Sequence, residues 1–153
     1  MSIRYFEDFV VGQSVHLGTH QFTAESMIAF ASAYDPQVFH VDPERARQSI
    51  YGGLIASGWH TSAVYMRLLV DGLLGQAASL GSPGLDSLRW LKPVRPGDTL
   101  TARITFIDCR LSNTRPDRGI VRSRGEMTNQ HRELVMQVEA INFFSRRPEN
   151  VDT

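Results

Sequence analysis

Cysteine is nearly absent from this 153-residue chain, where Cys109 stands alone. No intramolecular disulfide can form, and no cysteine cluster can hold a metal. A reducing cytoplasm is the compartment expected. Net charge is lacking too, because 16 basic side chains balance 16 acidic ones. That balance argues against a nucleic-acid or membrane-surface binder. The start, MSIRYFEDF, has no apolar signal core. The longest apolar region, Leu54 to Leu74, is interrupted by His60, Arg67 and Asp71. It makes a poor membrane span. His16, His20 and His131 fall at no metal-ligand spacing. No internal repeat or low-complexity segment is visible.

What is present is an ordinary globular composition, 42% hydrophobic and 21% charged. The length suits one domain with its own core. The first half reads as helix and the second as strands. Residues 14 to 22 are a plausible strand. Thr23 then offers an N-cap, with Glu25 in the first turn. Met27, Phe30, Ala31 and Tyr34 fall on one face of a helix. Pro36 disfavours helical backbone at Asp35, so that helix should stop near Tyr34. Asp42-Pro43-Glu44 restarts a short helix. A long helix is expected over roughly 57–74, apolar on nearly every side and therefore buried. After the loop at GSPG the period changes. Strands are expected at 85–94, 100–106, 120–128 and 133–144, separated by RPGD, SNTRPDRG and NQHR. One helix covering one face of an antiparallel sheet is an α+β layer architecture.

The stretch ASAYDPQVFHVDPE, residues 31–44, carries an aspartate and a histidine five positions apart around a helix break. On a continuous helix, Asp35 and His40 would point about 140° apart. A break at Pro36 lets both reach one point. Taken alone, Asp35 before proline is an ordinary helix terminator, and His40 an ordinary half-buried histidine. Asp42 is sufficiently explained as an N-cap.

Together with GGLIASGWHTSAV and LRWLKPVRPGDTL, that stretch resembles the MaoC-like dehydratases, the (R)-specific enoyl-CoA hydratase branch of the hotdog fold. The resemblance covers about residues 5 to 145. It implies one hotdog domain over residues 1–153, with a frayed tail from about 146. A long central helix would be wrapped by a curved antiparallel sheet, and the chain would form a homodimer. Three positions depart from the family pattern. Gln37 and Val38 stand where the family usually has Asn and Pro, and Ser57 where it usually has the His of a His-Gly pair.

The resemblance assigns Asp35 and His40 as an acid–base pair. Adding water across a trans-2-enoyl thioester requires a proton taken from water and a proton delivered to Cα, work worth about 10²–10⁴-fold from positioned groups. His40 is expected to be the main base toward water, with Asp35 holding the same water and exchanging the second proton; the reversed assignment fits the sequence as well. Negative charge on the thioester oxygen would meet the start of the long helix near Gly58 and Trp59. Gly52, Gly53 and Gly58 would let an acyl chain approach the backbone. Ser62 is a candidate pocket-lining residue, while His60 is read as a buried histidine outside the catalytic set. Arg115, Arg118, Arg122 and Arg124 form a basic cluster, by default a solvated face, with contact to a pantetheine phosphate as the sharper idea. No metal or other cofactor is expected, because the thioester itself acidifies the α-proton. An acyl-CoA thioesterase and a non-catalytic acyl-thioester binding protein are the alternatives.

Overall fold

The computed structural model describes residues 2–149. Five strands form one antiparallel sheet in the order β1-β3-β4-β5-β2. They are β1 (Ser14–Gln21), β2 (Ser79–Trp90), β3 (Thr99–Leu111), β4 (Arg118–Thr128) and β5 (Leu134–Ser145). Helices α1 (Ala24–Tyr34), α2 (Val38–Val41), α3 (Pro43–Arg47) and α4 (Gly58–Gly72) all lie between β1 and β2 in the chain. This is the hotdog arrangement. Among the described residues, no helix is long and apolar enough to cross a membrane.

The helix ends follow local chemistry. The Thr23 hydroxyl accepts from the Ser26 N–H at 3.2 Å and starts α1. The Asp35 N–H still donates to the Ala31 carbonyl at 2.8 Å, and α1 ends there, ahead of Pro36. Asp42 Oδ1 accepts from the Glu44 and Arg45 N–H groups, each at 3.1 Å, with Pro43 as the first residue of α3. In the turn before β3, Asp98 Oδ2 accepts from the Arg95 N–H and Gly97 adopts φ +91°.

The core lies between α4 and the sheet. Leu100, Ala102, Ile104 and Phe106 alternate inward along β3 and are at most 3% exposed. They share one apolar cluster with Val121 and Met127 of β4, Val138 of β5, and Val64, Tyr65 and Leu69 of α4. Gly125 lets this helix come close to the sheet. A Cβ there would fall 2.1 Å from the Tyr65 hydroxyl.

Four expectations need correction. First, α4 is not buried all round: Trp59, Met66 and Val70 on it are 58%, 48% and 38% exposed. Only one side of the helix meets the sheet, so its apolar far side needs another explanation. Second, β2 runs through GSPG rather than starting after it. It is an edge strand, where a proline costs no ladder bond, and its register shifts at Gly81 and Gly84 absorb the irregular backbone. Third, Tyr34 is exposed rather than part of the buried face of α1. Fourth, the tail is tied down at its start. The Arg147 N–H donates to Glu7 Oε2 at 2.8 Å, and the Arg146 N–H donates to the Asp117 carbonyl at 2.9 Å. Residues 150–153 of that expected tail lie outside the described residues.

Candidate active site

The break after α1 does what the spacing demands. Asp35 caps α1 with φ −152° and ψ 66°, and three residues later α2 begins. This four-residue helix turns His40 back toward Asp35. His40 Nε2 lies 3.3 Å from Asp35 Oδ2. The imidazole is only 7% exposed and the carboxylate 18%. The chain near the start of α4 closes the arrangement from the other side, where the Ile55 N–H donates to the Phe39 carbonyl at 3.0 Å.

His40 Nδ1 sits 2.8 Å from the Ile55 carbonyl. A carbonyl only accepts, so Nδ1 carries a proton and donates it. The neutral ring therefore keeps its free lone pair on Nε2, the nitrogen beside Asp35. Asp35 is held by two more donors. The Gln37 amide donates to Oδ1 at 2.8 Å, and the Ser57 hydroxyl donates to Oδ2 at 2.7 Å. Burial pushes the Asp35 carboxyl up, but the bonds from Gln37 and Ser57, joined by the positive charge of His40 whenever its ring is protonated, outweigh it and hold it below the usual carboxylate range.

Asp35 and His40 open onto a cavity of about 490 Å³. Gln37, Gly58, Trp59 and Thr61 also line it, with Phe39, Tyr51 and Trp90 among its aromatic walls. Gly58 lies directly under Trp90, where a Cβ would come within 2.4 Å of the indole. Of the residues singled out from the sequence, Asp35, His40, Gly58 and Trp59 are brought together here. Gly53 and Ser62 are not on the cavity wall. Ser62 faces Trp90, accepting from its indole N–H at 3.1 Å and donating to the Gly58 carbonyl at 3.0 Å. Thr61, its neighbour, takes the cavity-facing position. His60 is buried on the opposite side, stacked on Phe30 at 4.8 Å, with Nδ1 unpartnered. The basic cluster lies elsewhere, and Arg118, Arg122 and Arg124 are paired with Asp117, Asp86 and Glu139.

The Asp35 contacts of Gln37 and Ser57 were missed in the sequence, which marked both residues only as departures from a pattern. Ser57 lies 22 positions from the carboxylate it touches, so only the tertiary fold reveals the bond.

Residues 8–124 match the family model described as MaoC like domain. The chain belongs to the MaoC-like domain family. The solved MaoC-like dehydratase from Rhodospirillum rubrum superposes with a TM-score of 0.88 at 42% identity, covering 95% of this chain and 99% of that one. Protein YdeM of Bacillus subtilis (strain 168) is 30% identical over 103 residues, 67% of this chain and 72% of its own length. The (R)-specific enoyl-CoA hydratase of Rhodospirillum rubrum is 29% identical over 103 residues, 67% of this chain and 69% of its own.

Proposed function

We propose that this MaoC-like protein hydrates trans-2-enoyl thioesters to (R)-3-hydroxyacyl thioesters and catalyses the reverse dehydration. The observation that carries this reading is the convergence of Asp35 and His40, 3.3 Å apart, on the wall of a cavity beside the start of α4. The similarity to a named (R)-specific enoyl-CoA hydratase supports it.

His40 Nε2 takes a proton from water as the water oxygen bonds to Cβ. Asp35 holds the same water and stabilises the imidazolium that forms beside it. Electron density moves through the conjugated thioester to its oxygen. The Gly58 N–H, at the positive end of α4, is the donor assigned to that oxygen. The Trp59 N–H is already engaged by the Ser57 hydroxyl at 3.3 Å, so Trp59 serves as a wall. The pair then returns the proton to Cα. The double bond gains the elements of water, OH at Cβ and H at Cα, with no net oxidation or reduction, so no cofactor is called for.

The exposed apolar side of α4, together with Trp90 and Leu91 at the free edge of the sheet, is assigned to a second copy of the chain. Sedimentation at micromolar concentration should give twice the monomer mass of 17.2 kDa. Crotonyl-CoA with the purified protein tests the chemistry. The absorbance of the conjugated thioester should fall without release of free thiol, giving the (R) product. Thiol release from saturated acyl-CoA would instead identify a thioesterase. Binding without turnover would identify a non-catalytic acyl-thioester protein.

A further inference from the structure

Ser57 occupies an unusual position. It is the N-cap of α4 and is fully buried, at 0% exposure. Its hydroxyl has one proton to give, and that proton goes to Asp35 Oδ2 at 2.7 Å. Ser57 Oγ itself accepts from the Trp59 N–H at 3.3 Å. The hydroxyl is therefore a bridge from the end of α4 to the carboxylate. It is not a nucleophile, since it faces a carboxylate rather than an imidazole and has no access to the cavity. Across the carboxylate, the Gln37 amide fixes the other oxygen. An oxygen on each side of Asp35 is thus bonded by a neutral donor, which leaves the group no freedom to rotate away from His40.

We infer that Ser57, seconded by Gln37, is a positioning residue that fixes the orientation and charge of Asp35 and ties the acid–base pair to the helix end that carries Gly58. This rests on the hydratase reading for its catalytic meaning, while the positioning itself stands on the hydrogen bonds alone. Without the hydroxyl, burial of Asp35 is opposed by fewer donors, and the carboxyl should take up its proton at higher pH. The carboxylate would also be free to turn from the water that it shares with His40.

The test is the titration of the Asp35 side-chain carboxyl by carbon-13 NMR in wild type, Ser57→Ala, Ser57→Gly and Gln37→Met. Glycine is nearly as good an N-cap as serine, so Ser57→Gly removes the hydroxyl while sparing the helix start. Gln37 is exposed, so its replacement spares the core. The Asp35 midpoint should rise by about one pH unit in each Ser57 variant, and by less in Gln37→Met. The low-pH limb of crotonyl-CoA hydration should move up in step, with kcat down about tenfold. A merely structural Ser57 would lower the melting temperature and leave the Asp35 midpoint unchanged, and an unchanged midpoint in both Ser57 variants overturns the inference. A wild-type protein that hydrates nothing would overturn the hydratase reading instead, and the titration would still decide the role of Ser57.

Discussion

Strands β3 and β4 bury every second residue over most of their length, and the buried positions are chiefly apolar. The segment from Asp35 to Ser57 buries apolar residues too, Ala46 and Leu54 to Ala56, but adds two buried polar side chains. His40 is 5% exposed and Ser57 is 0% exposed, and each is bonded to the Ile55 carbonyl or to Asp35. An apolar side chain is held by the area it removes from water, whichever way it turns. A buried polar group is tolerated only with its partner in place, so its geometry is specified atom by atom. The sheet therefore supplies stability with loose directional demands, and the site segment supplies direction with little net stability. Substitutions in the two regions should separate activity from folding.

The largest expected effect is His40→Ala. Crotonyl-CoA hydration should fall about 10²–10⁴-fold while far-ultraviolet circular dichroism stays native. Next is Phe106→Ala, at a position 1% exposed, which should cost about 3–5 kcal/mol in urea unfolding. The fraction still folded should hydrate at the wild-type rate. If that fraction lost turnover, the sheet would have a share in the chemistry and the separation would be false.

Asp42→Ala sharpens the contrast from inside the site segment. It removes the cap of α3 and should cost about 1 kcal/mol with turnover retained. The smallest effect concerns His60. Its burial, and the nearby His20, hold its pKa below the ordinary 6.5. Below that pH the unfolded chain binds more protons than the folded one, so stability should fall as pH drops through 6.5. Replacing His60 with Phe should flatten this dependence, read as the urea midpoint at about pH 7 and about pH 5.

Much of the sheet was legible because its signal is local and periodic. Leu100, Ala102, Ile104 and Phe106 advertise a half-buried strand by alternation alone. The stop at Asp35 and the cap at Asp42 were equally readable, since proline and aspartate act on the adjacent backbone. Helix α2 was not read, because four residues are too few to display a helical period. The first half of β2 was hidden by glycine and proline that only an edge strand tolerates. At the site, the spacing of Asp35 and His40 suggested a shared target. The bond to Asp35 from Ser57, and the choice of Thr61 over Ser62 for the cavity wall, depend on how α4 is rotated within the fold. No local pattern records that rotation.

The sharpest measurement is a double-mutant cycle on crotonyl-CoA hydration with Asp35→Asn, His40→Ala and the two combined. Two groups acting on one water work as a unit, so the combined variant should be no slower than the worse single one. Losses that multiply would show that the two side chains act independently and would contradict the account.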